Sequence, residues 1–192
     1  MKRLTHDEIA ARRLSLDALK TEPRFPITVL LDNIRSLYNV GSIFRTSDGG
    51  RIAKLILTGY TPYPPRKEIS KTALGATESV PWEYVRNPVD ALVRLRAEGT
   101  KICVLEHTTK SVPYYSLRKE DFPLCLVVGN EITGVSQEII GRADLAVDIP
   151  MFGMKQSLNA AVACGIALFE FVRIARGDDR SPLTAQPEGP RR

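Results

Sequence analysis

The stretch DIPMFGMKQSLNAAVACGIALFE, residues 148–170, carries two signals that meet in one kind of fold. A short run suited to a buried strand stops at Pro150, which has no N–H to give to a sheet. A turn at Gly153 follows, and then a helix that is apolar nearly all round over residues 158–174, with Ser157 and Asn159 at its mouth. Such a helix belongs in a core or a subunit interface, and a polar asparagine at its start needs partners. Main-chain groups around Ile149 and Met151, freed from regular pairing, can hydrogen-bond an adenine-like edge while aliphatic side chains contact its faces. For Ser157 the plain role is to cap the helix through its hydroxyl.

Working outward, the runs ITVLLD (27–32), KLILTG (54–59), KICVLE (101–106), LCLVVG (124–129) and LAVDIP (145–150) are short, β-branched or leucine-rich, and separated by helical or loop segments. That alternation predicts an α/β fold with a mainly parallel sheet flanked by helices. Before the sheet, Thr5 and Glu8 form a capping-box pattern that opens a helix to about Leu19, with Ile9, Leu16 and Leu19 as the side that lies against the core. The alternative use of that helix is an RNA-facing one through Arg12 and Arg13. After the last helix, residues 177–192 combine proline, glycine and self-cancelling charge, three acidic and three basic, the composition of a disordered tail. The expected organisation is an N-terminal helical extension (1–25), one domain (26–176) and the tail (177–192).

With 192 residues, 43% of them hydrophobic, the chain can bury one good core. No apolar run reaches the ~20 residues of a membrane span, and MKRLTHDE lacks a signal-peptide core, so a soluble, cytoplasmic protein with no membrane partner is expected. Cys103, Cys125 and Cys164 each lie inside an apolar segment, without a CxxC pair or a histidine cluster, which predicts buried small hydrophobes rather than metal ligands or a disulfide framework. A net charge of +5 makes a polyanion partner plausible without demanding one.

Two further segments carry polar residues at strand ends, where ligands of α/β sheets gather. DNIRSLYNVGSIFRTSDGG (32–50) leaves a strand and passes through Asn33, Asn39 and Gly41 into a helix holding Arg45 and Thr46. Alone, it also fits a solvent-facing arginine with two turn-forming asparagines. LVVGNEITGVS (126–136) ends a strand at Gly129, where a missing Cβ lets another group approach, and continues through Asn130 and Glu131 to Gly134 and a short helix. There is no GxxxxGK[ST] and no GxGxxG, and Glu131 would repel a phosphate but suits an arginine or asparagine partner.

Together these segments resemble the motifs of the SpoU (TrmH-type) branch of the SPOUT RNA methyltransferases. Asn39, Gly41, Arg45 and Thr46 match the first motif, LVVGNEITG the second, and IPMFGMKQSLN the third, over roughly residues 26–175. Tyr38 stands where the family often has proline. The resemblance implies S-adenosyl-L-methionine held in a C-terminal trefoil knot, a homodimer, and methyl transfer to a ribose 2′-hydroxyl, with no metal required. It places the cofactor on Gly129, Ile149, Met151 and Leu158, with Glu106 or His107 near it, and the chemistry on Arg45, supported by Asn39, Glu131, Ser157 and Asn159. Arginine keeps its proton, so charge stabilisation and orientation suit Arg45 better than literal general-base action.

The competing reading is a non-catalytic RNA-binding protein on the same fold, and a further one is methylation of a base nitrogen; the first and third motifs together favour ribose oxygen. For the RNA, tRNA is favoured over rRNA because the residues before the first strand are too few for an added RNA-binding domain. Tyr63, Arg66, Lys67 and Lys71 form a basic, aromatic-bearing loop suited to a phosphate backbone or an exposed base, or to nothing more than a surface loop.

Overall fold

The computed structural model describes residues 1–11 and 13–177. Seven strands form one sheet: β1 (Phe25–Asp32), β2 (Ile52–Thr58), β3 (Trp82–Val85), β4 (Lys101–Leu105), β5 (Val112–Pro113), β6 (Leu124–Val128) and β7 (Leu145–Asp148). Their order is β3-β2-β1-β6-β4-β7-β5, and every pairing is parallel. All five expected strands form, within a few residues of their expected ends. β3 and β5 were not expected: WEYV is half-buried and broken by Glu83, so it offers no apolar run, and β5 has only two residues.

Parallel strands must be covered on both faces, and the pleat of β1 shows how this is done. Ile27, Val29 and Leu31 enter a core shared with α3 (Leu37–Gly49), α4 (Lys67–Ala73), α5 (Ala76–Ser79) and α8 (Ala160–Arg176). Leu30 faces the other way, into a second core with α6 (Pro88–Ala97) and α7 (Gln137–Ile140). The three cysteines are buried in these cores, and loss of solvation pushes the thiols up, to about 12 for Cys103 and Cys164.

The N-terminal extension departs from expectation. Thr5 and Glu8 do form the capping box, but the helix ends after one turn as α1 (His6–Ala10), and α2 (Leu16–Thr21) starts afresh. Ser15 is the physical reason: its hydroxyl accepts from Ala18 N–H and caps a new helix where the first was expected to continue. Ile9 and Leu16 are exposed, so this segment does not lie with that side against the core. Arg12, proposed with Arg13 to face RNA, and the expected tail after Gly177 lie outside the described residues.

No helix among the described residues is long and apolar enough to cross a membrane. α8 is buried along one side only, through Cys164, Ala167, Leu168, Phe171, Val172 and Ile174; Val162, Ile166 and Phe169 form an exposed stripe on the other. Its apolar character all round is thus half satisfied by the core. α3 runs beside it in the same direction, because Asn39 meets Asn159 near the start of both helices, and Gly49 and Gly50 meet Phe169 and Leu168 further on.

Candidate functional site

Leu31 of β1 pairs with Val128 of β6, Val128 with Leu105 of β4, and Leu105 with Val147 of β7, so these four strands end at one level. The chain leaves β1 towards β2 on one side and leaves β6 towards β7 on the other, which makes the β1–β6 boundary a switch point of the kind beside which α/β proteins bind ligands. The loops after β4, β6 and β7, with the start of α8, enclose a cavity of about 310 Å³.

Gly129, Ile149, Met151 and Leu158 all line this cavity, as do Glu131, Ser157 and Asn159 and both Glu106 and His107. Residues 149–158 make no backbone–backbone hydrogen bond among the described residues, which leaves their main-chain donors and acceptors for a ligand. Gln156 offers its carbonyl to His107 Nε2 at 3.2 Å. The cap of α8 is Asn159, not Ser157: its Oδ1 accepts from Ala161 N–H (2.9 Å) and Val162 N–H (3.3 Å), which leaves the Ser157 hydroxyl at the cavity wall. The helix begins two residues later than a Ser157 cap requires, and such a cap contributes about 1 kcal/mol.

Asn39 does not line the cavity but is tied to two residues that do. Its Nδ2 donates to Glu131 Oε1 (2.8 Å), and its Oδ1 accepts from Asn159 Nδ2 (3.0 Å). Contrary to the turn role considered for it, Asn39 sits in the first turn of α3, whose cap is Ser36. Gly41 is likewise helical, and it is needed because α4 crosses there: a Cβ would run into Thr72 Oγ1 and the Ile69 carbonyl.

Glu131 also accepts from Arg35 N–H (2.9 Å) and Ser36 N–H (3.1 Å). Partial burial pushes its carboxyl up, but these hydrogen bonds outweigh that cost and hold it below the usual glutamate range. The partner of Glu131 is thus the asparagine that its chemistry suited. Arg45 stands apart from this cluster, exposed on α3, with no ion pair or hydrogen bond among the described residues.

The glycine at the end of β6 has a specific task. A Cβ on Gly129 would collide with the chain at Gly134 and Val135, so the close approach expected there is made by the loop itself. Glu106 completes that fold-back: its Oε2 accepts from Val135 N–H (2.9 Å) while its Oε1 accepts from His107 N–H (2.9 Å).

Two residues central to the site had no assigned role in the sequence. Asn130, 5% exposed, donates through Nδ2 to the Asn33 carbonyl and to Tyr60 Oη (both 2.7 Å), and its Oδ1 receives Ile132 and Thr133 N–H. Asp32, 1% exposed, accepts from Asn33 Nδ2 and Ser136 N–H (both 2.8 Å). A polar residue directly at the end of a buried strand was the available signal in each case. No group of three metal-binding side chains occurs among the described residues.

The family model described as SpoU rRNA Methylase family matches residues 26–169. Among curated proteins, the chain is 37% identical over 150 residues to a tRNA (guanosine(18)-2′-O)-methyltransferase of Aquifex aeolicus, covering 77% of this chain and 69% of that one. It is 30% identical over 149 residues to the Escherichia coli protein of the same name, covering 77% and 63%. It is 31% identical over 166 residues to a 23S rRNA (guanosine-2′-O-)-methyltransferase of Vibrio cholerae, covering 85% and 66%. The chain thus spans about two thirds of the length of these relatives. Among solved structures, the A. aeolicus TrmH/SpoU tRNA modifying enzyme superposes with a TM-score of 0.75 at 34% identity, covering 85% of this chain and 83% of that one. A SpoU methyltransferase of Streptomyces viridochromogenes in complex with AdoMet gives 0.72 at 27% identity, covering 79% and 58%.

Proposed function

The chain belongs to the SpoU rRNA methylase family, and from that premise we propose that it is an S-adenosylmethionine-dependent methyltransferase acting on a ribose 2′-hydroxyl of RNA, tRNA in preference to rRNA. The observation that carries this reading is the hydrogen-bonded run Asn159–Asn39–Glu131 at the rim of a cavity walled by Gly129, Ile149, Met151 and Leu158. That run joins the three separate segments of sequence into one site.

The cavity suits the methyl donor in size and lining. Its 310 Å³ falls at the small-ligand end of binding pockets, its walls include Leu105, Val128 and Leu158, and the main chain of residues 149–158, outside any backbone–backbone pairing among the described residues, supplies donors and acceptors. S-adenosylmethionine, when bound, supplies an electrophilic methyl group. Gly129, Ile149, Met151 and Leu158 hold it, and the missing phosphate loop is no obstacle because no phosphate has to be held.

The chain's own task is to bring a 2′-hydroxyl into line and stabilise the negative charge that grows on its oxygen. Arg45 is the residue for this: a guanidinium without a carboxylate keeps its full charge for an RNA oxygen. Asn39, Glu131, Ser157 and Asn159 orient the groups around it. Water or an RNA phosphate takes the proton.

Arg45 and the cavity are best joined by a second copy of the chain. Val162, Ile166 and Phe169 recur at the spacing of one helix face, and the tip of the Phe169 ring lies beside Gly49, one turn after Arg45 on α3. A homodimer through this face covers the stripe and sets Arg45 at the junction between protomers. We extend the reading to the C-terminal knot: from β7, near one edge of the sheet, the chain returns past the 3-10 turn Tyr114–Ser116 to lay α8 over β1 and β6 at the centre. Residues 26–176 form the methyltransferase domain, working in the cytoplasm without a metal.

The test is nucleoside mass spectrometry of tRNA and rRNA from cells with and without the protein. Loss of one 2′-O-methylated nucleoside from the tRNA pool is expected; unchanged ribose methylation in both pools, together with no calorimetric binding of S-adenosylmethionine by the folded protein, would remove the enzyme reading.

A further inference from the structure

Beyond the cavity rim, the chain leaves β2 through Gly59, at φ +63°, and puts Tyr60 on the surface with 61% of its area exposed. Exposed tyrosines are ordinarily free to rotate, but this one is held at two points. Its N–H donates to Asn33 Oδ1 (3.1 Å), and its hydroxyl accepts from Asn130 Nδ2 (2.7 Å). Every donor and acceptor of that Asn130 amide is in use, so it cannot turn away from Tyr60, and Asn130 itself lines the cavity.

A second ring stands close by. Tyr63, 45% exposed, packs 4.5 Å centroid to centroid on Tyr84, whose hydroxyl donates to the Gly59 carbonyl at 2.6 Å. Both tyrosines are therefore braced on the same turn. On the neighbouring segments the side chains of Arg35, Arg66 and Lys67 are exposed and make no ion pair among the described residues, whereas those of Lys54, Arg94, Arg96 and Lys101 each sit on a carboxylate.

Fixed, half-bare aromatic faces beside unneutralised cations are what a nucleotide strand needs: rings for its bases and charge for its phosphates. We infer that Tyr60 and Tyr63 form a stacking shelf for the unpaired bases that flank the target nucleotide, so that the protein takes a looped or splayed RNA segment rather than a continuous duplex. A continuous A-form helix keeps its bases stacked on one another and leaves no face for the shelf. This rests on the RNA-methyltransferase reading above, because it is the cavity beside Asn130 that fixes which nucleotide is the target. Stacking on a pre-fixed ring loses little side-chain entropy, which is the use of anchoring Tyr60 from both ends.

The test compares three fluorescein-labelled probes by anisotropy at one salt concentration: rU12, a 12-residue oligomer of abasic spacers with the same charge, and a 12-base-pair RNA duplex. Wild-type protein should bind rU12 at least ~5-fold more tightly than either of the others. Tyr60→Ala and Tyr63→Ala should each lose roughly tenfold on rU12 and little on the abasic oligomer, while Tyr60→Phe, which keeps the ring, should stay within about threefold of wild type. Arg66→Ala should weaken all three probes alike and lower the salt slope by about one. Because Tyr60→Ala also removes a partner of Asn130, S-adenosylmethionine affinity is measured alongside; Tyr63→Ala lacks that link and serves as the second variant. Equal binding of rU12 and the abasic oligomer, or wild-type rU12 affinity in both alanine variants, would overturn the shelf. A shelf that binds rU12 as described in a protein that neither binds S-adenosylmethionine nor methylates RNA would instead overturn the enzyme reading, so the two failures are distinct.

Discussion

Asn159 Nδ2 donates to Asn39 Oδ1 at 3.0 Å, a bond between residues 120 positions apart whose direction is dictated by a helix end. The free N–H groups at the start of α8 require an acceptor, so Asn159 must turn Oδ1 to them and offer Nδ2 outward. Asn39 must then present Oδ1 to Asn159 and Nδ2 to Glu131, and Glu131 must be an acceptor. The polarity of the whole run follows from the N-terminus of α8.

That directionality predicts an order of damage. Asn39→Ala removes a hydrogen bond to a charged group, typically worth about 1.5–3 kcal/mol, and should lower methyl transfer roughly tenfold to a hundredfold with little change in S-adenosylmethionine affinity. Asn39→Asp, nearly the same shape, should be worse than Asn39→Ala because it sets a carboxylate against Glu131. Single-turnover rates checked against calorimetric cofactor binding decide this; an aspartate variant more active than the alanine variant would break the relay argument.

The pH dependence follows from Glu131. Its folded carboxyl lies below its ordinary value, so the stabilisation it brings is complete above the ordinary glutamate range and disappears only as pH falls through its lowered folded value. The difference in melting temperature between wild type and Glu131→Gln should therefore be constant from pH 6 to 8 and should shrink under acid conditions. A difference that instead grew as pH fell would give the shift the wrong sign.

The exposed stripe on α8 makes a third prediction. Phe169→Asp puts a charge on the proposed dimer face without touching the buried side of the helix. Light scattering should then report a monomer at micromolar concentration, with circular dichroism unchanged and methyl transfer largely lost. A monomeric wild type, or an active monomeric variant, would count against an interface that completes the site.

How much of this was legible beforehand depends on the range of the interactions. The five apolar strands and the first-to-third-motif residues were visible because apolar runs and strand-end polar residues are local signals. The break between α1 and α2 was hidden because a capping box opens a helix without fixing where it ends, and Ser15 competes from inside the pattern. Asn39 looked like a turn residue for a similar reason: its partners, Glu131 and Asn159, are 92 and 120 residues away. Asn130 had no visible role because two of its four side-chain partners, the Asn33 carbonyl and Tyr60 Oη, are carried by other segments; β3 lacks an apolar run and β5 is too brief to show a period.

Two glycines test the packing. At Gly129 a Cβ would meet backbone atoms of Gly134 and Val135, which cannot swing aside, so Gly129→Ala should destabilise by about 1–3 kcal/mol and open the cavity wall. Gly153→Ala, in the loop after β7, meets nothing within 4 Å and needs no left-handed backbone, so it should be neutral. A thermal scan is enough: the first variant should melt several degrees lower, at roughly 2–4 °C per kcal/mol for a domain of this size, and the second should not move. Equal melting temperatures would mean that the fold-back after β6 is looser than its geometry shows.

Arg45 separates chemistry from binding. It is exposed, carries no carboxylate partner among the described residues and does not line the cavity, so removing it should leave S-adenosylmethionine affinity nearly unchanged. If its guanidinium stabilises the developing 2′-oxyanion, Arg45→Ala should lower methyl transfer at least ~100-fold with RNA saturating, the usual scale for one positioned charge-stabilising donor. Arg45→Lys should remain badly impaired, because an ammonium keeps the charge but lacks the planar fork that can hold a ribose oxygen and a phosphate together. Leu158→Arg supplies the opposite pattern: it intrudes on the cavity wall and should weaken cofactor binding itself. Near-wild-type transfer by Arg45→Ala would make the residue a surface contact, and full rescue by lysine would reduce its role to charge alone.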